Sequence, residues 1–94
     1  MNVATIMKAE IERAAPNFCI VRTELPPAQS IDGLFKARAT VLNKRGESRD
    51  FGIEISQREA ILAGSADAIT SMVREKVDAA GIATFAALTP DDGA

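Results

Sequence analysis

From Leu34 to Ser56 the chain reads LFKARATVLNKRGESRDFGIEIS, with apolar and polar residues alternating on both sides of Asn43–Gly46. A two-residue alternation marks a strand with one buried face. Asn43 at the first turn position and Gly46 at the fourth suit a type I turn closed by a glycine bulge. The pattern therefore predicts a β-hairpin in which Asn43 opposes Glu47. Moving outward, Ala39 opposes Phe51, Ala37 opposes Ile53 and Phe35 opposes Ile55 on one face. On the other face Lys36 meets Glu54, Arg38 meets Gly52 and Thr40 meets Asp50. A slip by one residue would carry every apolar side chain to the wrong side, so this register is strongly specified.

The flanking segments change period. Over residues 3–15, Val3, Ile6 or Met7, Ile11 and Ala14 recur at three- and four-residue steps and predict a helix, with Asn2 as its cap and Pro16 as its stop. Lys8 and Glu12 form an i,i+4 pair on its outer side. Residues 17–25, NFCIVRTEL, read as a strand ended by Pro26 and Pro27. PPAQSIDG is then a loop. Ser56 and Glu59 form a capping box for a helix that runs to Ala80, with Leu62, Ala66, Ile69, Val73, Val77 and Ala80 as its inner stripe. Gly64 marks a kink or a late start within it, and Gly81 is a C′ residue suited to a left-handed cap. The apolar IATFAALT beyond fits either a docked strand or a docked helical turn. The expected architecture is α+β: helix, three-stranded antiparallel sheet, helix (α-β-β-β-α), with the helices on the sheet and a short apolar C-terminal segment. Residues 1–88 form one domain and 89–94 a flexible tail.

Composition adds mostly exclusions. Hydrophobic residues make up 47% and charged residues 26% of the 94, a globular balance rather than a disordered one. With no tryptophan or tyrosine, four phenylalanines supply all the aromatic packing. No apolar run is long enough to span a membrane, and the N-terminal segment lacks the apolar core of a secretory signal. Cys19 has no partner for a disulfide within the chain, so the expected location is cytoplasmic. Residues 1–58 carry nine basic and seven acidic side chains, and residues 59–94 two and six. Neither excess demands a nucleic-acid or membrane partner.

Without histidine, Ser-His and Cys-His nucleophile systems and histidine-containing metal sites are excluded. Cys19 has no base beside it and reads as a small buried residue. Asp50 and Glu54 share a strand face but stand roughly 13 Å apart, too far for a glycosidase pair. AGSADA has one glycine and no lysine, so it cannot cradle a phosphate as a P-loop does. The expectation is a chain with no catalytic residues, no metal and no cofactor.

In element order the chain resembles the double-stranded-RNA-binding fold over about residues 3–80. That resemblance implies a phosphate-binding lysine cluster at the start of the second helix, where this chain has only Arg58 beside Glu59. The histidine often found in the first interstrand loop is missing from PPAQSIDG. Weak or shape-specific nucleic-acid binding through Lys36, Arg38, Lys44 and Arg45 is therefore the alternative expectation, below protein binding. The leading expectation comes from apolar residues on the charged side of the sheet. Phe18 and Ile20 share parity with Arg22, while Leu34 and Leu42 fall on the face of Lys36 and Arg38. These seven residues form the candidate interaction surface, to be covered by the C-terminal segment, a second copy of the chain, or another protein; the exposed edge of the first strand is the other expected route to a protein partner or a second copy, and an enzyme is the last alternative.

Overall fold

The computed structural model describes residues 2–90. Four helices and three strands follow in the order α1 (Val3–Ala14), β1 (Cys19–Glu24), β2 (Leu34–Leu42), β3 (Ser48–Ser56), α2 (Gln57–Ala63), α3 (Ala66–Ala80) and α4 (Ile82–Ala86). The sheet is antiparallel with strand order β1-β2-β3, and the helices pack on one of its faces, an α+β fold.

The hairpin has the expected frame. Leu34 opposes Ser56, Lys36 opposes Glu54 and Ala39 opposes Phe51, and so on to Leu42 opposite Ser48. Its turn explains this firmness. The Asn43 N–H donates to the Glu47 carbonyl at 3.0 Å, and the Asn43 side-chain oxygen accepts from the Arg45 and Glu47 amides. Gly46 takes φ +83°, a left-handed geometry that L side chains adopt only with strain. Asn43 is 5% exposed, and each of its side-chain polar atoms is bonded.

The odd-numbered strand residues face the helices. Ile53 and Ile55 are buried there, Phe35 and Phe51 half-buried, and Ala37 and Ala39 are 1% and 2% exposed. The two small alanines share one core cluster with the fully buried side chains of Met7 and Ile11 from α1, Ile69 and Val73 from α3, and Ile82 from α4. Asn2 caps α1 by accepting from the Thr5 amide. The outward pair expected of Lys8 and Glu12 does not form. The α1 carboxylate that binds is Glu10, which accepts from Arg74 of α3 at 2.7 Å and also meets Arg13.

The second helix is not continuous. Gly64 adopts φ +78° and closes α2, and the Ser65 hydroxyl accepts from Ala68 N–H to cap α3. After this break only the small Ala60 and Ala63 of α2 pack against the core, and the fully buried stripe begins at Ile69 and not at Leu62, which is 79% exposed. The Ser56–Glu59 capping box starts α2 as expected. The C-terminal apolar segment resolves as the short helix α4 with Ile82, Phe85 and Ala86 buried. It lies in the helix layer and leaves the opposite face of the sheet bare. Beyond it the Leu88 carbonyl accepts from Lys44 N–H and the Thr89 carbonyl from Arg45 Nε, so the hairpin tip holds the start of the expected tail. Residues 91–94 of that tail lie outside the described residues.

Candidate interaction surface

The bare face of the sheet is built from the even-numbered residues, and its order follows from the two registers. At one end Phe18 stands by Leu42, joined by the Leu42 N–H to the Phe18 carbonyl at 3.3 Å. The next row across the sheet is Ile20, Thr40 and Asp50, followed by Arg22, Arg38 and Gly52, then Glu24, Lys36 and Glu54. Leu34 closes the far end opposite Ser56. Six of the seven expected surface residues, Phe18, Ile20, Arg22, Lys36, Arg38 and Leu42, are therefore exposed on one continuous surface. Leu34 belongs to the same face but is half-buried.

The face divides into two parts. Its apolar end exposes 48% of Phe18, 51% of Ile20 and 37% of Leu42. Its polar part carries both signs of charge. Thr40 Oγ1 donates to Asp50 Oδ1 at 2.8 Å, which occupies the one carboxylate of the apolar-end rows. In the next row the two cations Arg22 and Arg38 stand directly opposite each other, an arrangement that is destabilising in a sheet unless anions lie nearby. The alternative set of cations does not converge. Lys36 and Arg38 lie mid-strand, whereas Lys44 and Arg45 occupy the hairpin tip, and eight residues of an extended strand span roughly 26 Å. Arg45 is also bonded to Thr89 and sits 4.0 Å from Glu47.

Other chemistry-bearing groups are occupied structurally. Burial pushes the Cys19 thiol above its ordinary value, with Glu12 adding to the rise and Lys8 opposing it, so little reactive thiolate forms near neutral pH. The hydrogen bond from Arg74 holds the Glu10 carboxyl below the usual range, and the Ser56 backbone N–H does the same for Glu59. These are the marks of a helix–helix tie and a capping box. Among the described residues no group of three or more metal-ligating side chains gathers, and no helix is long and apolar enough to cross a membrane.

A second apolar feature, missed in the sequence, lies around α2. Ile61 and Leu62 are 63% and 79% exposed, and Ile31, whose carbonyl accepts from the Arg58 amide at the start of α2, is 44% exposed. The signal that could have found it is the pair Gly64-Ser65, a left-handed stop followed at once by a new helix cap. No protein-family model, curated protein or solved structure matches the chain.

Proposed function

We propose that the chain is a non-catalytic accessory module that binds protein through its sheet. The observation that carries this reading is the helix-free face on which Phe18, Ile20 and Leu42 form an exposed apolar end beside charges of both signs. An apolar patch flanked by charges of both signs suits a protein interface, where burial supplies affinity and the charges set orientation. A nucleic-acid footprint would carry one sign of charge, commonly with aromatic rings for stacking. Here Glu24, Glu54 and Asp50 interleave with the cations.

The test compares the wild-type chain with Phe18→Ser/Ile20→Ser, both purified from the native cell after mild cross-linking and checked for folding by circular dichroism. Specific cross-linked products with other proteins are expected from the wild type and lost in the variant. Products with other proteins that are the same for both, or none together with tight salt-dependent binding to duplex RNA, would overturn the reading.

A further inference from the structure

The edge strand β1 adds a feature that the face alone does not show. Its bonded pairs with β2 are the even residues, as the Leu42-to-Phe18 bond fixes, because bonded and non-bonded pairs alternate in an antiparallel ladder. The N–H and C=O groups of Cys19, Val21 and Thr23 therefore point away from the sheet along an open edge. Such an edge templates another strand unless the chain blocks it. The β3 edge carries only Asp50 and Glu54 as charged residues on the bare face, so two copies meeting there would repel.

The charges on β1 are arranged otherwise. The row through Arg22 ends in two adjacent cations, Arg22 and Arg38, and the row through Glu24 runs acid, base, acid. Rotating a second copy about an axis through Thr23, normal to the sheet, sets each Arg22 against Glu24 of the other copy. It also sets Thr23 against Thr23 and Val21 against Leu25. The row then reads Glu54, Lys36, Glu24, and continues with Arg22 and Arg38 of the second copy, so the like-charged pair gains a carboxylate neighbour. A two-fold centre at Arg22 or at Glu24 would oppose identical charges instead. Leu25, 69% exposed and pushed toward extended geometry by Pro26, is covered in the Thr23-centred register. Pro27, with no N–H, ends the added ladder.

We propose that two copies of this chain pair antiparallel through β1, centred on Thr23, to form a continuous six-stranded sheet with reciprocal Arg22–Glu24 contacts. This goes beyond the protein-binding reading of the bare face: the β1 edge takes a second copy and leaves Phe18, Ile20 and Leu42 open to another protein. Sedimentation equilibrium of the full chain from about 1 μM to about 1 mM should show a mass approaching twice the 10.0 kDa of one chain. Thr23→Pro removes an outward N–H that the monomer does not use, so it should leave a folded monomer. Arg22→Glu and Glu24→Arg should each weaken self-association about tenfold or more, because like charges then face across the axis. An equimolar mixture of these two single variants should dimerise again, since each supplies what the other lacks.

A wild-type chain that stays monomeric throughout overturns the proposal, as does a dimer unaffected by Thr23→Pro or a mixture that fails to recover. Retained capture of a different protein by the bare face would, in those cases, leave the broader reading standing.

Discussion

The docking of α4 is best tested at Phe85. Its ring meets Phe51 edge-on, with centroids 5.7 Å apart and planes at 64°, and the Arg49 guanidinium lies 4.7 Å above it. Phe85→Leu keeps most of the apolar burial, because leucine and phenylalanine are worth similar transfer energies. What it removes is the aromatic pair, about 0.5–1.5 kcal/mol, and the cation–π contact, about 0.5–1 kcal/mol at an exposed site. The expected loss is thus about 1–2.5 kcal/mol, or roughly 5–15 °C in Tm for a domain of this size. The chain has no tryptophan or tyrosine, so far-UV circular dichroism during heating and urea titration is the suitable readout. Arg49→Ala should cost less in the Phe85→Leu background than alone, with a coupling of about 0.5–1 kcal/mol. A Phe85→Leu chain melting within a degree of wild type would refute the placement of α4 over the sheet.

Other changes probe other joints. Glu10→Gln removes the α1–α3 ion pair. Because the folded-state pKa of Glu10 is lowered by Arg74, its stabilisation is full above the ordinary value of 4.5 and disappears as pH falls through the folded value. The variant should therefore be less stable than wild type at pH 7 and converge with it in acid, as followed by urea unfolding across pH. Gly46→Ala should cost about 1–2 kcal/mol through its positive φ alone, since nothing lies within 4 Å of the added carbon. At Leu62, 79% exposed, substitution by serine should change stability by no more than about 0.5 kcal/mol, whereas Ile69→Ala in the core should cost about 2–5 kcal/mol. Equal losses at the two positions would mean that the helix is not broken at Gly64.

The hairpin was legible because three independent signals agree: the alternation, the Asn-x-x-Gly turn and the need to bury Ile53 and Ile55. The break in the second helix was only half legible. Gly64 was visible as an interruption, but helical spacing alone carried the stripe through it to Leu62, since periodicity does not register a new cap at Ser65. The role of IATFAALT was undecided because six apolar residues among eight suit strand and helix equally. The structure selects the helix, which packs against β2 and sets Phe85 against the Phe51 ring. On the candidate surface, parity alone placed Phe18, Ile20 and Leu42, but the directions of the β1 amides required the pairing with β2.

The two alanines at the centre of β2 have a consequence for how this domain can vary. Helices resting on Ala37 and Ala39 leave no room for a larger side chain and little to gain from a smaller one, so the middle of the molecule is nearly closed to substitution. The reverse of the same strand carries Lys36, Arg38 and Thr40 in open solvent, where a change costs the folded state little. One side of the strand can therefore drift while the other stays fixed, and under the protein-binding proposal partner preference could be re-specified without re-founding the fold.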